Sequence, residues 1–133
     1  MNEKMKNKQN QTVAVLGAST NRAKYGNKSV RAHLSQGWEV YPVNPRADRI
    51  EGLQAYRSLS EVPVKINRVT LYLPSKLGLE ALPEIAAAAP QEFFVNPGAE
   101  SDELIAEAKK LGLKPILACS IVDLGVGPGQ FDD

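Results

Sequence analysis

Short apolar runs alternate with longer amphipathic stretches along this chain, and the alternation predicts strands and helices in turn. Thr12-Val13-Ala14-Val15-Leu16 is apolar at nearly every position. A run of that kind is buried on both faces, as at the centre of a parallel sheet. From Asn27 the apolar groups fall at Val30, Leu34 and Trp38, the spacing of a helix, and Gly37 fits its stop. Residues 38–43 form the second strand; Asn44-Pro45 ends it, since proline lacks a ladder donor. Residues 50–56 read as a short strand or turn around Gly52. A single helical turn follows at 59–62, where Ser58 and Glu61 have capping-box spacing.

Residues 68–73 are a third clear strand, stopped by Pro74. Leu77, Ala81, Ile85 and Ala88 then predict a helix to about Ala89, which Pro83 is expected to kink or restart. Glu92-Phe93-Phe94-Val95 is a strand ended by Asn96-Pro97-Gly98. Ser101-Asp102-Glu103 opens the next helix with a good cap and an acidic first turn. Its stripe is Leu104, Ile105, Ala108 and Leu111, and Gly112 ends it. Residues 115–118 are the last strand. The partition is an arm at 1–11, one domain at 12–124 and a loose glycine-rich tail at 125–133.

Strands that alternate with helices build a mostly parallel α/β sheet, doubly wound, with helices on both faces. Right-handed crossovers put the strand ends on one edge. The loops there carry Gly17-Ala18-Ser19, Asn44-Pro45, Pro74-Ser75 and Asn96-Pro97-Gly98. Ligands of open sheets bind outside the carboxyl ends of strands, so these four clusters are expected to converge on one site.

The first loop bears on the ligand's chemistry. A glycine loop between a strand and a helix aims amides and the positive helix end at a phosphate. The dinucleotide fingerprint G-x-G-x-x-G is not met: Ser19 and Arg22 stand where its second and third glycines belong, and the loop is several residues too long. A wider loop can cradle a diphosphate with its own amides, with the Ser19 hydroxyl in support. The second strand ends in Asn44-Pro45-Arg46, not in the acid that bonds the ribose of NAD. Arg46 would attract a ribose phosphate, which NADP and coenzyme A both carry. Arg22, Lys24 and Lys28 add positive charge for a diphosphate.

Composition narrows the remaining classes. The chain has 133 residues, 43% of them hydrophobic, enough for one core. With 16 basic and 15 acidic side chains the formal charge is +1, a balance that speaks against nucleic acid or a membrane surface as partner. No apolar run approaches the roughly 20 residues of a membrane helix. The polar start lacks the apolar core of a signal peptide, so the expected location is cytoplasmic. One cysteine, Cys119, and one histidine, His33, exclude an internal disulfide and a multi-histidine metal site. His33 lies beside an apolar stripe and reads as packed, with no partner placed by spacing for catalysis. Cys119 reads as a small buried hydrophobe, the alternative being a thiol facing the ligand.

Gly17-Ala18-Ser19, Lys24-Tyr25-Gly26, Tyr41-Pro42-Val43-Asn44-Pro45, the segment 52–56, Asn96-Pro97-Gly98-Ala99-Glu100-Ser101 and Cys119, in this order and spacing, resemble the small CoA-binding domain proteins. These are single Rossmann-like domains similar to the amino-terminal domain of the succinyl-CoA synthetase alpha subunit. The resemblance covers about residues 12–120. It implies that Gly17, Ala18 and Ser19 hold the diphosphate, with Lys24 and Tyr25 lining the phosphate loop. Val43, Asn44 and Arg46 would flank the adenosine and its phosphate. Pro74 and Ser75 would lie near the diphosphate or the pantetheine arm. The synthetase's phosphorylated histidine lies outside the matched domain, and nothing in this chain replaces it. The resemblance therefore implies a stand-alone module binding CoA or acyl-CoA, without catalytic machinery; the exposed edge of a parallel sheet leaves a homodimer as the open question of assembly. A small NADP-dependent oxidoreductase is the competing reading, and it would need a partner subunit to complete a substrate pocket.

Overall fold

The computed structural model describes residues 11–132; the start of the expected arm at 1–10 lies outside the described residues, as does residue 133. Five strands form a wholly parallel sheet: β1 (Thr12–Leu16), β2 (Glu39–Val43), β5 (Arg68–Leu71), β6 (Glu92–Val95) and β7 (Pro115–Leu117). Their order across the sheet is β2-β1-β5-β6-β7. The chain steps outward from β1 to β2, then crosses back over β1 and continues the other way. Residues of β1 are buried throughout, as the apolar run predicts. A separate antiparallel hairpin, β3 (Arg49–Ile50) and β4 (Leu53–Gln54), fills the segment that was ambiguous in sequence. A 3-10 turn follows at Leu59–Glu61, where the serine side chain of Ser58 makes no cap bond.

Helices cover both faces. Helix α1 (Tyr25–Ser35) and the short α4 (Ser120–Asp123) lie on one face, against Val13, Val15 and Val40. Helices α2 (Ser75–Ala88) and α3 (Asp102–Lys110) lie on the other, against Ala14, Leu16, Val69, Leu71, Phe93 and Val95. The expected cap of α3 is present: the Ser101 hydroxyl accepts from the Leu104 amide at 3.1 Å. Asp102 and Glu103 sit in its first turn and Lys109 and Lys110 in its last, the arrangement the helix dipole favours.

Several expectations shift in phase. Helix α2 runs unbroken through Pro83, which is exposed, so the ring meets solvent and not the core. Its buried face is Gly78, Leu82 and Ile85 rather than the stripe from Leu77 through Ala81. Gly78 sets that phase: a Cβ there would come 2.8 Å from Leu104 Cδ1 and 3.1 Å from Leu71 Cδ2. In α1, Leu34 is exposed while the polar Asn27, Ser29 and His33 are buried. Leu111 in the α3 region is likewise exposed. The tail beyond Gly125 differs from a loose segment as well. Pro128–Phe131 form a 3-10 turn against α1, held by Arg31, which donates to the Phe131 carbonyl at 2.7 Å.

A polar set packs between the sheet and α1 at the edge opposite the strand tips. Arg68 lies over the rings of Trp38 and Phe94, 4.4 and 4.6 Å from their centroids. It donates to Glu92 at 2.9 Å and to Asp123 at 2.8 Å. Its third contact, to His33 Nε2 at 3.3 Å, makes that nitrogen an acceptor. The proton then sits on Nδ1, which donates to the Ser29 carbonyl at 2.8 Å. Burial first, and the nearby Arg68 charge, push the His33 pKa down to about 4. His33 is thus a neutral core side chain, as its position in the sequence suggests.

Candidate functional site

The sheet reverses its winding between β1 and β5, and the tips of those strands open a cleft of about 1010 Å³. This lies at the upper end of the roughly 300–1,000 Å³ of small-molecule sites. Its floor is the Gly17–Ser19 loop, with Val43 and Asn44 from the tip of β2, Tyr72 and Pro74 after β5, and Pro97 and Gly98 after β6. The four strand tips therefore meet, as their order in the sequence predicts.

Two glycines shape the floor. Gly17 has φ +93°, and a Cβ on it would meet the Tyr72 backbone at 2.9 Å. Gly26, in the first turn of α1, is tighter still: a Cβ would lie 2.1 Å from the Gly17 carbonyl oxygen. The loop thus folds down onto the start of its own helix. Asn44 ties in the second strand, donating from Nδ2 to the Ala18 carbonyl at 2.8 Å. Its Oδ1 accepts from the amides of Arg46 and Ala47 at 2.7 and 3.1 Å, which turns the chain after β2.

The ends of α1 and α2 both reach the cleft. Neither has a side-chain cap, and neither has an acid in its first turn. Helix α3, whose start carries Ser101, Asp102 and Glu103, is the contrast. An uncapped, acid-free helix start leaves its orphan amides and positive dipole for an incoming anion. Among the described residues, no backbone carbonyl takes the amides of Ala18 or Ser19. Lys24, Arg46 and Arg57 line the same cleft, and their ion pairs with carboxylates are absent among the described residues.

Of the residues singled out in sequence, Gly17, Ala18, Ser19, Lys24, Tyr25, Val43, Asn44, Arg46, Pro74, Pro97 and Gly98 line the cleft. Arg22, Ser75 and Asn96 are placed beside it. Arg22 donates to Glu51 at 2.6 Å. The Ser75 and Ser101 hydroxyls bond each other at 2.5 Å. Asn96 is buried behind the tip of β6. It donates to Thr70 Oγ1 and the Leu71 carbonyl at 2.7 and 2.9 Å, and it accepts from the Ser120 amide at 2.9 Å. Lys28 pairs with Asp132 at 2.6 Å. Cys119 is half-buried and outside the lining.

The cleft also has a wall that sequence reading left out. Arg57 and Ser58 reach it because Tyr56 extends the rim of β2: its amide donates to the Pro42 carbonyl at 2.9 Å, and its carbonyl accepts from the Asn44 amide at 2.8 Å. Leu77, Ala81 and Glu84 come from the outer face of α2, and Leu77 is 46% exposed. The spacing of Leu77 and Ala81 marks a helix in the sequence, but spacing alone does not say that this side of it opens onto a cleft.

A family model described as a CoA binding domain matches residues 11–125. The chain belongs to the CoA-binding domain family. Within this family it is 31% identical over 117 residues to the acetate–CoA ligase (ADP-forming) II alpha subunit of Pyrococcus furiosus, a match over 78% of this chain and 25% of that subunit. The corresponding ligase of Archaeoglobus fulgidus is 30% identical over 115 residues, 17% of its length. The CoA-binding domain thus spans a quarter or less of these curated relatives. Among solved structures, a conserved hypothetical protein from Pyrococcus furiosus superposes with a TM-score of 0.78 at 39% identity. That match covers 85% of this chain and 98% of the other. A dinucleotide-forming acetyl-coenzyme A synthetase from Korarchaeum cryptofilum, solved with phosphate and ADP, superposes with a TM-score of 0.72 at 30% identity, over 89% of this chain and 28% of that one. The parallel Rossmann-like sheet is common to these structures. Among the described residues, no helix is long and apolar enough to cross a membrane.

Proposed function

We propose that this CoA-binding domain holds coenzyme A or an acyl-CoA in the cleft between β1 and β5, as a binding module without catalytic machinery of its own. The observation that carries the reading is the pair of uncapped, acid-free starts of α1 and α2 facing one cleft that also holds Lys24, Arg46 and Arg57. The diphosphate lies against the amides of Ala18 and Ser19 and the start of α1, where Gly17 and Gly26 let backbone and ligand approach closely. Arg46 receives the phosphate on the adenosine ribose. The pantetheine arm runs past Pro74 toward Pro97 and Gly98. The chemistry that CoA supplies is its thiol; the residues of this chain grip and orient the rest of it.

Binding to the folded state alone raises the melting temperature, by about 2.7 kcal/mol of stability at a hundredfold excess over Kd. We expect CoA or acetyl-CoA to raise the melting temperature clearly, and NADPH to raise it less. A shift with NADPH and none with millimolar CoA points to the oxidoreductase reading instead. A second copy of the chain would add at β7, the edge strand at whose end Leu117 stands 56% exposed. Native mass spectrometry of the purified protein reads both the bound ligand and the copy number.

A further inference from the structure

Glu51 stands outside the cleft, in the two-residue turn between β3 and β4, and adopts φ +52° beside Gly52 at φ +78°. Such a turn wants positive φ at both positions and favours Asn-Gly. A glutamate there is strained, and observed strain invites the question of what it holds.

The Glu51 carboxylate holds two groups at once. It accepts from Arg22 at 2.6 Å and from Asn27 Nδ2 at 2.9 Å. The Asn27 bond first, and then Arg22, keep its carboxyl below the usual range. Asn27 is fully buried on α1, and every polar hydrogen of its side chain is used. Its other Nδ2 hydrogen goes to the Ser19 carbonyl at 2.9 Å, and its Oδ1 accepts from Arg31 Nε at 2.7 Å. Arg31 in turn donates to the Arg22 carbonyl at 2.8 Å. Together with Asn44, these donors occupy the carbonyl oxygens of Ala18, Ser19 and Arg22. A carbonyl turned toward the cleft would present negative charge to a phosphate. A carbonyl held by a donor is kept from that role, and the amides of Ala18 and Ser19, which meet no backbone carbonyl among the described residues, remain for the ligand, as in an anion nest.

We propose that Glu51 is the positioning residue of the phosphate loop: from outside the cleft, through Asn27 and Arg22, it fixes the peptide orientation of residues 18–24 for a diphosphate. The proposal rests on the CoA reading of the cleft for its ligand, and on the hydrogen bonds alone for its mechanism.

Charge and positioning make opposite predictions, and this allows a clean test. Glu51→Gln removes a negative charge near a site for a polyanion and releases Arg22 from its pair. Charge alone would tighten CoA binding. Positioning predicts a loss, because a glutamine amide has a single accepting oxygen and cannot accept from both Asn27 and Arg22. The second variant, Glu51→Asn, suits the turn better but has a side chain too short to reach Asn27. Calorimetric titration with CoA and with dephospho-CoA reads affinity, and amide hydrogen exchange of residues 18–24 in the ligand-free protein reads loop order.

The expected result is a loss of about tenfold for both ligands in both variants, since one charge-assisted bond is removed and the diphosphate is common to both. Exchange speeds up in residues 18–24, and melting temperature changes by no more than a few degrees. Unchanged or tighter binding, or unchanged exchange in the loop, overturns the proposal. If the wild type binds neither CoA nor dephospho-CoA, the ligand reading fails by itself, and the exchange result still decides whether Glu51 orders the loop.

Discussion

Gly26 and Gly17 are packed backbone on backbone: a single methyl on Gly26 would stand 2.1 Å from the Gly17 carbonyl oxygen. The obstacle is main chain, so no rotamer change relieves it. The loop must lift off the helix start, and it is this contact that lets the floor of the cleft sit so low.

The Gly26→Ala variant is therefore expected to lose stability and ligand together. Overpacking of this kind costs about 1–3 kcal/mol, a drop of several degrees in melting temperature for a domain of this size. CoA should no longer raise that temperature. The control is Gly129→Ala, at a position where a Cβ meets only Asp132 Oδ2, at 3.8 Å; it should melt within a degree or so of the wild type and keep the CoA response. A Gly26→Ala protein that melts and binds normally would remove the loop from the account.

Arg46 follows the Asn44 turn into the lining of the cleft, and among the described residues it makes no ion pair with a carboxylate. Arg46→Glu should weaken CoA by tenfold or more, on the order of a lost charge-assisted bond. Dephospho-CoA, which lacks the ribose phosphate, should weaken much less. Equal weakening of both, measured by calorimetry, would show that another group reads that phosphate. Arg57, on the facing wall, is then the residue to replace next.

His33 makes the fold sensitive to acid. Its folded pKa of about 4 lies below the ordinary value of 6.5. The unfolded chain therefore binds a proton first as pH falls. The contribution is fully present above pH 6.5 and is lost progressively toward pH 4. Between pH 6.5 and 5 this amounts to about 2 kcal/mol. Above pH 5 few carboxylates titrate, so urea unfolding at these two pH values isolates the histidine. The groups facing it are Arg68, Asp123 and the Ser29 carbonyl and hydroxyl. His33→Gln should flatten the dependence in this window, whatever its effect on overall stability. A slope that survives the substitution assigns the protons elsewhere.

The regularity of the strands made the fold legible. Thr12–Leu16 and Glu92–Val95 have the bounds their apolar runs suggest, because a strand buried on both faces leaves a continuous signal. Helix faces were less legible for two physical reasons. In α1 the buried side includes Asn27, Ser29 and His33, whose hydrogen bonds satisfy them where hydrophobic periodicity expects carbon. In α2 a glycine sets the buried face, and a residue without a side chain carries no hydrophobic signal. Leu77 then reads as core although it opens onto the cleft.

The loop tips of the site were legible because glycine, asparagine and proline are demanded by the turns. The Arg57 wall was not, since it depends on Tyr56 joining the rim of β2, a long-range pairing. Arg22 shows the limit of counting charges: this cation of the loop between β1 and α1 is bonded to Glu51, which is 29 positions away in the chain.

The most direct test of the central claim is a crystal structure of the protein grown with coenzyme A. The account predicts the diphosphate within hydrogen-bond distance of the Ala18 and Ser19 amides, and the ribose phosphate beside Arg46. A well-ordered CoA seated elsewhere on the molecule, or a cleft left empty at saturating CoA, would contradict it.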